Sequence, residues 1–343
     1  MSKVSIKKRN KPTVMGLFAG CGGLDLGFKK SGFDVVYAND IEKSVKETYE
    51  RNIGKIDITD IREIDKSTLP VADVILAGIP CQPFSSAGNR DSVQDERGTL
   101  FKEVVDIVRL QKTKIVLFEN VRGFLSAKDD SGLTMPERME RELEQLGYTL
   151  YYKLLNASDY GVPQNRYRVV LVGVRKDIDR GFSFPEPKID KANLTIGTIL
   201  EKPYPKDEEE EVWDLSPQSM KIVKYIPEGG SWKDVPTSHL PERLKRIRRE
   251  IKKYRSPNFY RRFSRDEIMG TVTAASTPEN SGILHPLEDR RYSVREIARF
   301  QSFPDSFKFV GDSISSKYKM IGNAVPVNLA KVIGDALYDQ YFS

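Results

Sequence analysis

The 343-residue chain has only two cysteines, Cys21 and Cys81, and two histidines, His239 and His285. No Cys/His cluster stands at metal-ligand spacing, so no structural zinc site is expected. Both cysteines lie in Gly/Pro-rich loops. Their spacing leaves a disulfide open, whereas a reducing cytosol keeps such thiols free. No apolar run reaches the roughly 18 residues that would span a bilayer. The opening Met1-Ser2-Lys3-Val4-Ser5-Ile6-Lys7-Lys8-Arg9 also lacks the apolar stretch of a signal peptide. The expectation is a cytoplasmic protein with neither a membrane segment nor a metal.

What is present is unevenly charged. The net charge is +6, yet Glu242 to Arg265 holds eleven Lys or Arg against two Glu, leaving −3 for the remainder. Tyr254, Phe259, Tyr260 and Phe263 interleave there with Arg248, Arg249, Arg255, Arg261 and Arg262. A solvated helix face is the plain reading of such a run; phosphate contact combined with stacking or groove packing is the functional one.

The first half alternates β-branched runs with amphipathic stretches, the pattern of a parallel sheet flanked by helices. Strands are expected at Val14–Phe18, Val35–Ala38, Val74–Ala77, Ile115–Glu119 and Val169–Val174. Helices are expected at Leu24–Ser31, Glu42–Asn52, Leu100–Leu110 and Pro136–Leu146. Periodicity fades after about Phe182, where Pro-rich stretches and the acidic run Asp207–Glu211 read as exposed loops. Helical periodicity returns from Ser293 to Phe300 and from Ala324 to Tyr341, the last helix docking back on the first domain. The division is 1–182, a catalytic and cofactor-binding domain; 183–290, a recognition domain; and 291–343, a hinge and returning helix.

Three sites carry chemistry. Phe18-Ala19-Gly20-Cys21-Gly22-Gly23-Leu24-Asp25 follows a strand and opens a helix, so backbone N–H groups can face a ligand. Asp25 stands where a dinucleotide fingerprint has its third glycine, and Asp40, about 20 residues on, can accept ribose hydroxyls. A nucleoside with a non-phosphorylated tail, such as S-adenosylmethionine, fits better than a dinucleotide. Second, Cys81 sits in Gly78-Ile79-Pro80-Cys81-Gln82-Pro83, its flanking prolines stiffening the turn. Third, the strand Ile115–Phe118 runs into Glu119-Asn120-Val121, and Gln164-Asn165-Arg166-Tyr167-Arg168 places two arginines at alternate positions, on one face.

In this order and spacing the segments resemble the DNA cytosine-C5 methyltransferase family. Residues 18–28 are similar to its cofactor loop, Pro80-Cys81-Gln82 to its nucleophile motif, Glu119-Asn120-Val121 to its carboxylate motif and 164–168 to its Gln-x-Arg-x-Arg motif. Arg291–Pro304 and Gly322-Asn323-Ala324-Val325-Pro326 resemble its last two. The resemblance implies a Rossmann-like α/β catalytic domain with a small, mixed recognition domain, acting as a monomer on double-stranded DNA beside a cognate restriction endonuclease. Carbon 5 of cytosine is a poor nucleophile and needs covalent activation at carbon 6. That role falls to Cys81, with Glu119 on the N3 and amino edge, and Arg168 and secondarily Arg166 on the O2 side. S-adenosylmethionine would meet Phe18, Ala19, Gly20, Gly22, Gly23, Leu24, Asp40, Ile41, Asp57, Ile58, Pro80, Leu100, Asn323 and Ala324. Ile41 stands where an aromatic often packs on the adenine. DNA contacts are expected from Ser85, Asn89, Arg90, Gln164, Arg248, Arg249, Arg255, Arg261 and Arg262. Ala87 replaces a serine that fills the vacated base site in some members. The alternatives are an RNA cytosine methyltransferase, disfavoured by the missing Cys-Phe-Thr tripeptide, a catalytically silent DNA-binding homologue, which would have lost Cys81, Glu119 or Arg168, and a nicotinamide-dependent oxidoreductase, opposed by the missing third glycine.

Overall fold

A computed structural model describes residues 11–80, 96–129, 131–187, 190–206, 208–250, 258–279 and 281–343. Six strands, β1 (Thr13–Leu17), β2 (Asp34–Asn39), β3 (Val74–Ala77), β4 (Ile115–Val121), β5 (Tyr148–Asn156) and β6 (Tyr167–Arg175), form one sheet in the order β2-β1-β3-β4-β6-β5. Pairings among β1 to β4 are parallel; β4–β6 and β6–β5 are antiparallel. The parallel expectation thus holds for four strands and fails for two. β5 escaped notice because it is an edge strand exposing Tyr152 and Lys153, which interrupts the apolar run. Central β3 is buried at all four residues, and so reads as uninterrupted Val-Ile-Leu-Ala.

The helices are α1 (Gly23–Lys30), α2 (Lys46–Asn52), α3 (Glu96–Gln111), α4 (Met135–Gln145), α5 (Ile196–Leu200), α6 (Pro217–Val223), α7 (Glu242–Glu250), α8 (Val294–Phe300), α9 (Ile314–Asn323) and α10 (Val327–Tyr341). On one face, Phe101 and Val104 of α3 and Met139 and Leu143 of α4 pack on Val116 and Phe118. On the other, Phe28, Leu329 and Ile333 pack on Leu76, Leu117 and Val172. α10 packs on α1 through small residues: a Cβ on Gly27 would meet the Ala330 Cβ at 2.3 Å, and one on Gly334 the Ser31 Oγ at 2.7 Å. Among the described residues, no helix is long and apolar enough to cross a membrane.

Residues between 183 and 290 feed two cores. Ile222, Val223, Trp232, Leu240, Leu244, Tyr260 and Leu284 form a small cluster of their own. Ile196, Ile199, Met269, Val272 and Ile283 instead join Ile297, Phe300 and Val327. The acidic run, expected to be an exposed loop, clasps the C-terminal segment. Glu208 binds the fully buried Arg295 at 2.7 and 3.0 Å, and Glu211 accepts the Val294 N–H at 2.8 Å and pairs with Lys317 at 2.5 Å. A buried guanidinium requires such a partner, and the run supplies it.

Candidate active site

From β1 the chain passes outward to β2 on one side and later to β3 on the other. That reversal opens a crevice at the strands' C-terminal ends, where an open α/β sheet binds ligands. Phe18 and Gly20 have φ of +54° and +55° as the chain turns toward α1. A Cβ on Gly20 would meet nothing within 4 Å, so this glycine borders open space. Gly22 and Gly23 serve packing instead, where a Cβ would strike the Ile53 side chain at 2.1 Å and the Val325 carbonyl at 2.2 Å. Leu24 is buried in the α1–α10 core.

Asp40 closes this loop. Its carboxylate accepts the Gly20 N–H at 2.7 Å and the Glu42 N–H at 2.8 Å, one on each oxygen. Burial raises its pKa, opposed by those backbone donors. Each oxygen keeps capacity for another donor, as a ribose requires. Neighbouring Ile41 is 63% exposed, an apolar side chain beside the open glycine. Asp57 pairs beside Asn39, its carboxylate fixed by the Tyr37 hydroxyl at 2.9 Å and the Thr59 hydroxyl at 2.6 Å. These orienting hydroxyls carried no signal in the sequence. Ile58 and Leu100 are half-buried, Pro80 exposed.

Glu119 and Arg168 form an ion pair of 2.7 Å at the neighbouring strand end, each side chain about an eighth exposed. Antiparallel register opposes Val121 to Arg168 and Glu119 to Val170, so Arg168 lies diagonally across from Glu119 on the same face. Forty-nine positions apart in sequence, they meet only because β6 runs back along β4. Asn120 points the other way, and its amide reaches the Ile79 carbonyl at 3.4 Å, tying the segment that leads to Cys81 to the strand that carries Glu119. Cys81 itself, with Ser85, Asn89 and Arg90, lies outside the described residues.

The family model for C-5 cytosine-specific DNA methylase matches residues 13–339. The chain belongs to this family. It is 36% identical to the Type II methyltransferase M.NgoFVII of Neisseria gonorrhoeae over 97% of this chain and 89% of that one. It is 32% identical to M.HhaI of Haemophilus parahaemolyticus over 97% and 96%. The fold of S. pombe Dnmt2 methyltransferase superposes with a TM-score of 0.65 at 19% identity, covering 97% of this chain and all of that one.

In this methylase Arg166 and Arg168 part company. Arg166 precedes β6 and is buried to 1% exposure, donating to the carbonyls of Val272 at 2.6 Å, Gly322 at 2.7 Å and Ala324 at 3.1 Å. Gln164 is equally enclosed, donating to Phe300 O and Gln301 Oε1 and accepting the Val272 N–H at 3.0 Å. The expected DNA contact of Gln164 is therefore corrected: its amide is consumed at the joint between β6 and the C-terminal segment. Gln301, fully buried, completes this joint by donating to Ile321 O and Ala324 O. Asn323 is exposed at the end of α9 and Ala324 is 8% exposed.

The recognition arginines also divide. Arg262 is 3% exposed, binding Asp289 at 2.7 Å and the carbonyls of His285 and Glu288. Arg261 forks onto Glu267 at 2.7 and 2.9 Å. Arg248 lies over Trp232 and donates to Trp232 O and Val235 O. All three spend their terminal guanidinium nitrogens on carbonyls and carboxylates of this region; for the buried Arg262 this corrects the expected DNA contact. Arg249 is exposed on α7, and Arg255 lies outside the described residues.

Proposed function

We propose that this methylase transfers a methyl group from S-adenosylmethionine to carbon 5 of a cytosine flipped out of a short specific duplex DNA sequence, through a covalent bond from Cys81. The Glu119–Arg168 pair at the strand rim beside the nucleophile segment carries the reading. The Type II names of its relatives support a place in a restriction–modification system, alongside an endonuclease of matching specificity.

The crevice suits the methyl donor. Gly20 leaves room for a ligand, Asp40 offers a carboxylate to ribose hydroxyls, Asp57 offers another toward adenine, and exposed Ile41 gives an apolar surface. The cofactor, when bound, supplies an electrophilic methyl group.

A stacked, paired cytosine cannot present carbon 6 to a thiolate, so the base leaves the helix at a cost of a few kcal/mol. Cys81 Sγ forms a bond to carbon 6, and the ring π electrons shift toward carbon 5 and the N3–O2 edge. The Glu119 carboxyl donates a proton or hydrogen bond to N3 and accepts from the amino group, while Arg168 steadies the charge at O2. Once carbon 5 has taken the methyl, a base removes its proton, the electrons return to the ring, and Cys81 leaves as thiolate. Bisulfite sequencing of plasmid from cells expressing the chain is expected to show 5-methylcytosine at one short motif. With Cys81→Ser, methylation should vanish while DNA binding persists; full activity in that variant overturns the covalent mechanism.

A further inference from the structure

Among the described residues, the arginines near the strand rim are committed to carbonyl or carboxylate partners with one exception. Arg168 holds Glu119, and Arg166 holds three carbonyls. Arg122, the residue after Glu119-Asn120-Val121, is exposed and has no carboxylate within ion-pair distance among the described residues. Its guanidinium lies over the ring of Tyr167, 6.0 Å from the centroid. Tyr167 is 45% exposed between two inward-turned arginines. The strands bring the two near each other: the β4–β6 register ends with Val121 opposite Arg168, so Arg122 and Tyr167 are the chain neighbours of that last pair.

We infer that Arg122, steadied by Tyr167, clamps a backbone phosphate of the DNA strand that carries the reacting cytosine. This deepens the function proposed above and rests on it. Arg122 comes just past the end of β4, three residues beyond Glu119, at the open rim past which the sugar–phosphate of a nucleotide held at Glu119 must run. A guanidinium offers a phosphate two parallel N–H donors, and an aromatic ring under it limits the orientations it must give up on binding. An exposed cation on an exposed ring, with no carboxylate partner among the described residues, is open to a counter-charge from the substrate.

The test measures duplex DNA affinity of the full chain by fluorescence anisotropy across a salt series. Arg122→Gln should raise Kd about tenfold and lower the slope of log affinity against log salt by about 0.9, the share of one phosphate. Arg122→Lys should restore the slope, and Tyr167→Ala should raise Kd several-fold while Tyr167→Phe does not. S-adenosylmethionine affinity should be unchanged in each, reporting an intact fold. An unchanged Kd and slope in Arg122→Gln overturns the inference, as does a loss reproduced in full by Arg122→Lys. Wild-type protein that neither binds nor methylates DNA in the same assay overturns the underlying function instead.

Discussion

One of the two cysteines is buried in the core. Cys21, 1% exposed with its Sγ 3.5 Å from the Met320 carbonyl, is a free thiol pushed up to about 12 by burial. It is inert at neutral pH, since only the thiolate reacts. Iodoacetamide at pH 8 is therefore expected to label native protein once, at Cys81, and mass spectrometry should find no label on Cys81→Ser. Asp25, which breaks the dinucleotide fingerprint, is buried against Gly16 and accepts the Tyr49 hydroxyl at 2.5 Å. Burial raises its pKa from 3.8 to about 6, with nearby Asp40 adding to the rise. The folded state then holds this proton more tightly than the unfolded chain. The stability it gives is full below about pH 4 and lost as pH rises through about 6, a swing of about 3 kcal/mol. Urea midpoints between pH 4 and pH 8 should show that fall, and Asp25→Asn should remove it.

At the scale of elements, the strongest sequence signals were the strands buried on both faces and the helices with clear start signals. Ser293 and Glu296 form a capping box opening α8, where helical periodicity returns. β5 and α9 were invisible, the first because an edge strand tolerates Tyr152 and Lys153, the second because Ile314-Ser315-Ser316-Lys317 shows no clear apolar stripe. The α1–α10 contact depends on absent side chains. Gly27→Ala would place a methyl 2.3 Å from Ala330 and 2.7 Å from the Lys331 nitrogen. Because the second is backbone, the helices must separate, at an expected cost of about 1–3 kcal/mol. A thermal melt that leaves Tm unchanged would contradict this packing.

At the scale of the whole molecule, the described arginines of the basic segment 242–265 differ in burial. Arg262→Gln removes a buried charge from Asp289 and three carbonyls, and should lower stability by about 3 kcal/mol or more. Arg249→Gln, on the exposed face of α7, should leave Tm within a degree or so and reduce the salt slope of DNA binding if that face meets phosphates. Measuring Tm and DNA affinity on both variants separates fold from contact. The opposite pattern would reverse the assignment.

By itself the sequence determined the class of chemistry. A thiol between prolines, a carboxylate ending an apolar strand, arginines entering another and a glycine loop followed by an acid are local arrangements, written in consecutive residues. It also marked five of the six strands as apolar runs, but not that β6 returns antiparallel, since its Val169–Val174 run is as apolar as those of the parallel strands. Only the tertiary structure decided which charges face the site. Arg166 and Arg168 look equivalent at alternate positions, yet one is spent on the carbonyls of Val272, Gly322 and Ala324 and the other on Glu119. The same holds for Gln164, Arg262 and the acidic clasp of Arg295. An ionisable side chain takes its role from the partners within about 3 Å, and those partners come from segments that meet only when the chain has folded.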